Sequence, residues 1–183
     1  MVMATTEQIT TAEQLLQAHG LGRCELLRGE LVVMSFGGAE HGCIATKIAA
    51  RLGLFLKQNG LGWVMGAGTG FQIGRNPDTV RAPDVAFISR DRCPPTLPEG
   101  FFQDAPDLAV EVLSPNDRAS EVLAKVQDWL AAGCAMVWVI DPATRTVTVY
   151  RGADAIELFR LGDHLDGGDL LPGFRLALAE IFA

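Results

Sequence analysis

The feature that most constrains the fold is the stretch PDLAVEVLSP, residues 106–115, which is apolar apart from two acids and Ser114. Its composition predicts a buried strand, and period-two alternation places Glu111 and Leu113 on one face and Val110 and Val112 on the other. A carboxylate seldom lies inside an apolar strand without a partner, because its desolvation is costly. Glu111 therefore lies either at a hydrated strand end or beside a group that needs its charge.

Helix and strand signals alternate along the rest of the chain. The predicted helices are one after a capping box of Thr10 and Glu13, one over 39–59 that ends at Gly60, one over about 117–132, and a terminal one in RLALAEIF. The predicted strands are CELL and ELVVMS around a turn at Arg28-Gly29, WVMGAGTGFQIG, VRAPDVAFIS, DLAVEVLS, MVWVID, TVTVYR and AIELFRL. This order predicts one domain over residues 1–183, of the α/β or α+β class, with a mixed sheet.

The composition is that of a folded globular chain, with 49% hydrophobic and 20% charged residues. A net charge of −7 argues against an open basic surface for nucleic acid, although it leaves room for a local basic cleft. The four cysteines lack CxxC spacing, which argues against a zinc–thiolate site and favours free, buried thiols. No run is long and apolar enough to span a membrane, and the first residues lack a signal-peptide pattern, so we expect a cytoplasmic protein.

A second acid, Asp84, stands in the preceding apolar segment RAPDVAFIS. Adjacent strands would bring Asp84 and Glu111 within reach of one hard divalent cation, and Mg²⁺ accepts one or two carboxylates together with phosphate and water. Such an ion can activate water and offset the charge on a phosphodiester. The structural alternatives are that Asp84 caps a strand end after Pro83 and that Glu111 pairs with an arginine.

Lys125 is the candidate cation for this pair of acids. A lysine two residues after Glu111 would share its strand face, but Leu113 occupies that position. Lys125 lies at the edge of the buried stripe of the next predicted helix, so its stem can follow apolar surface back to the strand carboxylates. There it would orient the attacking water or offset phosphate charge. The alternative is an i,i+4 pair with Glu121 on a solvated helix face.

Two further residues are auxiliary candidates. His41, at the start of the helix over 39–59, is either a general base or phosphate contact or an exposed residue of the first helical turn. Arg118, just before the helix over 117–132, either meets a phosphate or pairs with Glu121. The glycine-rich GAGTGFQIG lacks the GxxxxGK[ST] pattern and is better read as a bent strand than as a phosphate loop.

These segments together resemble the Uma-two family, bacterial proteins with a restriction-endonuclease-like fold in the PD-(D/E)XK nuclease superfamily. The matching pieces are CELLRGELVVMS, His41, RAPDVAF, PDLAVEVLSPND, Lys125 and AMVWVIDP, which run over roughly residues 8–151. The resemblance implies that Asp84 is the acid of the PD element and Glu111 the acid of the (D/E)XK element. It also implies that Lys125 replaces the lysine missing at Leu113, and that Glu30 completes a three-carboxylate metal cluster.

The resemblance thus implies a Mg²⁺- or Mn²⁺-dependent endonuclease that hydrolyses phosphodiester bonds of nucleic acid, DNA above all. It implies a homodimer as well, since cutting both strands of a duplex needs two sites. Two alternatives stay open. One is a catalytically inactive nucleic-acid- or protein-binding module on the same fold, and the other is a metal-dependent hydrolase of small phosphorylated substrates, which suits the acidic balance.

Overall fold

Helices occupy four segments of the chain. The structure is a computed structural model, and it describes residues 8–152 and 154–183. The helices are α1 (Ala12–Gln17), α2 (Ala39–Asn59), α3 (Ala119–Ala131) and α4 (Leu178–Phe182). The predicted helix over 39–59 is confirmed at both ends. It stops at Asn59 because Gly60 takes the left-handed conformation. No helix in the described part of the chain combines the length and hydropathy that a bilayer span requires.

Strands make up most of the remaining regular structure. They are β1 (Cys24–Leu27), β2 (Glu30–Val33), β3 (Gly62–Gly66), β4 (Phe71–Gly74), β5 (Thr79–Arg81), β6 (Val85–Ser89), β7 (Phe102–Gln103), β8 (Leu108–Val112), β9 (Met136–Asp141), β10 (Thr146–Tyr150), β11 (Ile156–Phe159), β12 (His164–Gly167) and β13 (Leu171–Ala177). The mixed α+β architecture expected from the sequence is therefore confirmed.

The central layer is a six-stranded mixed sheet in the order β11-β10-β9-β8-β6-β3. Its one parallel pair is β8 and β9, which α3 connects, and the other pairs are antiparallel. A parallel pair needs a long crossover, and a helix that packs on the sheet is the usual one. The crossover places α3 over the strand that carries Glu111.

The other strands form two smaller sheets. One has five strands in the order β2-β1-β5-β4-β7, and the other pairs β12 with β13. The segments WVMGAGTGFQIG and VRAPDVAFIS, each predicted as one strand, are in fact two strands apiece, shared between the five-stranded and six-stranded sheets. In the second segment the break falls at Pro83, which has no N–H to donate to a ladder.

Each face of the six-stranded sheet carries its own core. On one face Val110 and Val112 pack with the buried stripe of α2 and with β13 and α4. On the other face Ala109 packs with Val126 and Trp129 of α3. The alternation predicted for PDLAVEVLSP is confirmed, and it puts the Glu111 side chain on the α3 face.

Three further expectations need correction. Thr11 and Gln14 form the first capping box, one residue after the predicted pair of Thr10 and Glu13. The segment RLALAEIF continues as β13 up to Ala177 before α4 begins, because the alternating burial of Phe174 and Leu176 is that of a strand. All four cysteines are free as expected, but only Cys134 is buried, and burial raises the pKa of its thiol to about 12.

Candidate active site

Asp84 lies where the chain crosses from the five-stranded sheet to the six-stranded one. Continuing the antiparallel register of Val85 and Val110 by one residue places Asp84 opposite Glu111, and the Asp84 N–H donates to the Val110 carbonyl at 3.0 Å. Directly opposed residues of an antiparallel pair share a sheet face and have neighbouring Cβ atoms. The two acids singled out from the sequence are thus cross-strand neighbours.

Three donors hold the buried Asp84 carboxylate. Arg23 Nη2 donates to Oδ1 at 2.9 Å, and the Val112 N–H donates to Oδ2 at 2.8 Å. His41 Nε2, from the first turn of α2, lies 3.2 Å from the same Oδ2. Asp84 thus lies at the strand end that its structural alternative described, just before β6, and its carboxylate is buried.

These donors decide the charge state of both Asp84 and His41. Burial by itself would raise the pKa of Asp84, but His41, the Val112 N–H and Arg23 together lower this pKa to about 2. The hydrogen bond to Asp84 raises the pKa of His41, against the opposing effects of burial and Arg23. The pair is thus an anionic carboxylate beside an imidazole that favours its charged form.

Glu111 and Lys125 form a second, adjoining pair. Lys125 Nζ lies 2.8 Å from Glu111 Oε2, and Trp129 Nε1 donates to Glu111 Oε1 at 2.8 Å. Lys125 and Trp129 are four residues apart on α3, so both reach down from one helix face onto β8. The partner of Glu111 is therefore a lysine, and the alternatives of an arginine for Glu111 and of Glu121 for Lys125 are not what the structure shows.

The environment of this pair shifts the pKa of both groups upward. Burial raises the pKa of Glu111, and Asp84 and Glu25 add to this effect while Lys125 opposes it. Burial would lower the pKa of Lys125, but the surrounding acids outweigh it and the net shift is upward. Lys125 is consequently held as an ammonium ion in a pocket of negative charge.

Glu25, on β1, is the third buried acid of the cluster and was not foreseen from the sequence. Its Oε1 lies 3.4 Å from Lys125 Nζ and accepts the Ala82 N–H at 3.1 Å. Its Oε2 accepts Arg81 Nη1 at 2.8 Å, and Arg81 also binds Asp128 of α3. Arg81 thereby joins β1 to the same helix that carries Lys125.

Glu30, predicted as the third carboxylate, does not join this cluster. It is exposed and makes no salt bridge or side-chain hydrogen bond within residues 8–152 and 154–183. In the β1–β2 hairpin Glu30 opposes Leu27 while Glu25 opposes Val32, so both acids share a face. Glu30 stands two residues nearer the turn, about 7 Å along the strand.

The remaining candidates divide between the cluster and the surface. His41 joins the cluster through Asp84, and Leu113 packs into the apolar core beside α3. Arg118 is 80% exposed and lies 4.0 Å from Glu121, the weak surface pair that was its structural alternative. Arg23, by contrast, contacts Asp84 but had no sequence signal, because it precedes β1 in a stretch without periodicity.

The chain matches the model of a known protein family. The family model Uma2, described as "Putative restriction endonuclease", matches residues 11–179, nearly the whole chain. The chain belongs to the Uma2 family. This is the Uma-two family whose resemblance the sequence carried, and the match includes every residue of the buried cluster.

The fold of this Uma2 member also matches a solved structure. The crystal structure described as "a putative nuclease belonging to DUF820", from Anabaena variabilis ATCC 29413, superposes with a TM-score of 0.81 at 22% identity, covering 94% of this chain and 97% of that one. The predicted restriction-endonuclease-like core, a mixed sheet flanked by helices, is thereby confirmed. The comparison with curated proteins found no match.

Asp84 and Glu111 are the residues of this Uma2 chain that suit a divalent cation. Within the described ranges, no three His, Cys, Asp or Glu side chains converge in a ready metal shell. Mg²⁺ nevertheless needs only one or two carboxylates, since water and substrate phosphate complete its octahedron. The carboxylates of Asp84 and Glu111, which lie opposite each other, therefore have the chemistry that a two-carboxylate Mg²⁺ site requires. Glu25 lies beside them, with its Oε1 3.4 Å from Lys125 Nζ.

The interactions of the Asp84 carboxylate make the free energy of unfolding depend on pH in the acidic range. Because its pKa is lowered from 3.8 to about 2, the stabilisation is complete above pH 3.8 and is lost as the pH falls through 2. The shift corresponds to about 2 kcal/mol of unfolding free energy. Urea unfolding across this range should show a steeper loss of stability with falling pH in wild type than in Asp84→Asn. Asp104→Asn, an exposed control, should keep the wild-type slope, and equal slopes in all three proteins would contradict the effect.

Proposed function

We propose that this protein is a Mg²⁺- or Mn²⁺-dependent endonuclease that hydrolyses phosphodiester bonds in nucleic acid, DNA above all. The observation that carries the proposal is the convergence of Asp84, just before β6, Glu111 of β8 and Lys125 of α3 onto one buried cluster. Membership of a family described as "Putative restriction endonuclease" supports the same reaction class. The homodimer and the cytoplasmic location expected from the sequence stay predictions.

The protein groups have separate roles in this proposal. Asp84 and Glu111 hold the ion, which when bound supplies an activated water and offsets charge on the phosphate. Lys125, kept protonated by the acids around it, adds positive charge where the transition state gains negative charge. The hydrogen bond to Asp84 raises the pKa of His41, which suits this residue to donate a proton or to contact a phosphate.

A nicking assay tests the proposal. Supercoiled plasmid and single-stranded DNA are incubated with Mg²⁺ or Mn²⁺ and wild type, Asp84→Asn or Glu111→Gln. Of these three proteins we expect only wild type to cleave, and we expect both variants to fall to the level of the metal-free reaction, because each loses an anionic ligand. Arg160→Gln, an exposed residue just after β11 at the far edge of the six-stranded sheet, is the control and should cleave like wild type. Equal cleavage by all four proteins would rule out this site.

One observation favours a second candidate, a non-catalytic binding module. Each oxygen of the Asp84, Glu111 and Glu25 carboxylates already accepts from, or lies within 3.4 Å of, a donor of the protein itself. Such a satisfied network can serve the fold alone. Calorimetric titration with Mn²⁺ separates the two candidates: binding by wild type that Asp84→Asn abolishes supports the nuclease, and no binding by folded wild type supports the module.

A further inference from the structure

An apolar cavity of about 500 Å³ opens beside the Asp84 cluster. It lies between α1, the segment that leads into β1 and the turn between β3 and β4, and its wall includes Leu16, Val80, Ala82 and Gly68. Pockets that hold small molecules occupy about 300–1,000 Å³, are mostly apolar and carry few polar groups. The cavity meets this description, and Ala82 connects its wall to the segment that carries Asp84.

Two aromatic rings stand at this cavity. Phe36 is 91% exposed, the largest exposed fraction among the large hydrophobic side chains described, although contact with water costs such a ring free energy. Phe101 lines the cavity as well, and Gly70 permits its position because a Cβ at Gly70 would collide with the Phe101 ring. Flat apolar side chains at an open cavity are the stacking surface that proteins offer to unpaired bases.

Arg23 is the charged side chain in the cavity lining. Its Nη2 donates to Asp84 Oδ1 at 2.9 Å and to the Ala82 carbonyl at 3.4 Å. Its Nε and Nη1 make no hydrogen bond to any residue in 8–152 or 154–183, and the side chain is 24% exposed. A guanidinium with two nitrogens that have no partner among the described residues suits a phosphate oxygen, and this one contacts the candidate metal ligand Asp84.

We propose that this cavity binds one unpaired base of a single-stranded nucleic acid, with the adjoining phosphate on Arg23 and hence next to Asp84. The inference rests on the proposed nuclease function and names its substrate class. A base stacked in a duplex cannot enter such a cavity without unpairing. The net charge of −7 also disfavours a long duplex footprint, whereas one base and one phosphate need only local contacts.

The test measures binding without turnover, in EDTA, by fluorescence anisotropy. One labelled oligonucleotide carries a single thymine flanked by abasic nucleotides, and the other is wholly abasic with the same length and charge. Wild type should bind the thymine-containing strand about tenfold more tightly, as one stacked base supplies. Phe36→Ala should lose most of this preference and Phe36→Trp should keep it. Leu161→Ala, an exposed apolar residue outside the cavity, is the matched control and should bind like wild type.

The outcomes separate this inference from the proposed function. Base preference that depends on Phe36 supports the cavity as a base site whether or not the protein cleaves DNA. Equal affinity of wild type for the two strands overturns the inference even if the nicking assay succeeds. Equal base preference in wild type and Phe36→Ala overturns it too, because the base then binds elsewhere.

Discussion

Lys125→Met is expected to lower the free energy of unfolding by about 3–5 kcal/mol, because it leaves the buried Glu111 carboxylate without its countercharge. Methionine keeps most of the length of the lysine stem, so the change removes the ammonium group while largely keeping the packing. If Lys125 also offsets charge in the transition state, cleavage should fall by about 100-fold or more. Urea unfolding gives the first quantity, and initial nicking rates of the folded variant give the second.

Two comparisons make the Lys125 result specific. Lys57→Met introduces the same chemical change at an exposed position near the end of α2, and it should cost less than about 0.5 kcal/mol. Adding Glu111→Gln to Lys125→Met removes the unpaired charge, so the double variant should regain part of the lost stability. A Lys125→Met variant as stable as Lys57→Met would show that the buried pair contributes nothing to folding.

The loss of stability in Lys125→Met should also depend on pH, with a sign that follows from Glu111. Burial already raises the pKa of Glu111, and removing Lys125 takes away the group that opposes this rise. An acid whose folded pKa lies above its unfolded pKa favours folding at low pH and loses that contribution as pH rises through the folded pKa. The deficit relative to wild type should therefore be smaller at mildly acidic pH than at neutral pH.

The core of the candidate site could be predicted because its residues break strong local patterns. Glu111 interrupts an apolar strand, and Lys125 lies at the edge of the buried stripe of the next helix. Both signals are periodic and need only neighbours in sequence. The strand-helix-strand unit of β8, α3 and β9 then fixes how these residues meet. Local pattern and tertiary placement therefore agree on the contact between Lys125 and Glu111.

Glu25 and Arg23 could not be predicted in the same way. In the hairpin of β1 and β2, an acid at the position of Glu25 is typical of a solvated sheet face, and nothing nearby in sequence marks it as buried. Its burial comes from the pairing of β1 with β5, from Arg81 and from α3, all distant in sequence. Glu30 carries the same local signal. To decide which of the two acids is buried, one needs the register of the hairpin and the position of α3 and Arg81 relative to it.

The division of RAPDVAFIS between two sheets was missed for a related reason. Its residues all favour extended backbone, so period and propensity give no reason to interrupt the strand. The interruption is nevertheless what creates the site, since it places Asp84 beside Glu111 while Ala82 binds Glu25. The Pro83 between them was the one local signal, because proline interrupts a ladder of backbone hydrogen bonds.

Trp129→Ala is the second change expected to have a large effect, a loss of about 4 kcal/mol or more in unfolding free energy. Trp129 is fully buried and packs edge-on against Phe71, so truncation leaves a cavity that costs about 3–5 kcal/mol. It also removes the indole N–H that donates to Glu111 Oε1, which leaves that buried oxygen without its donor. Urea unfolding followed by far-UV circular dichroism measures the loss without relying on tryptophan fluorescence.

Variants of Trp138 distinguish the contribution of the hydrogen bond from that of packing. Trp138 is as buried as Trp129, but it donates its N–H to the sulfur of Met136, a weak acceptor. Trp138→Phe should cost only packing, whereas Trp129→Phe should cost about 1–3 kcal/mol more, since a charged acceptor loses its donor. In a Glu111→Gln background this excess should shrink, as expected when the two residues are coupled directly. Equal costs for the two phenylalanine variants would mean that Lys125 alone holds Glu111, and the orientation of this acid would then depend on a single flexible side chain.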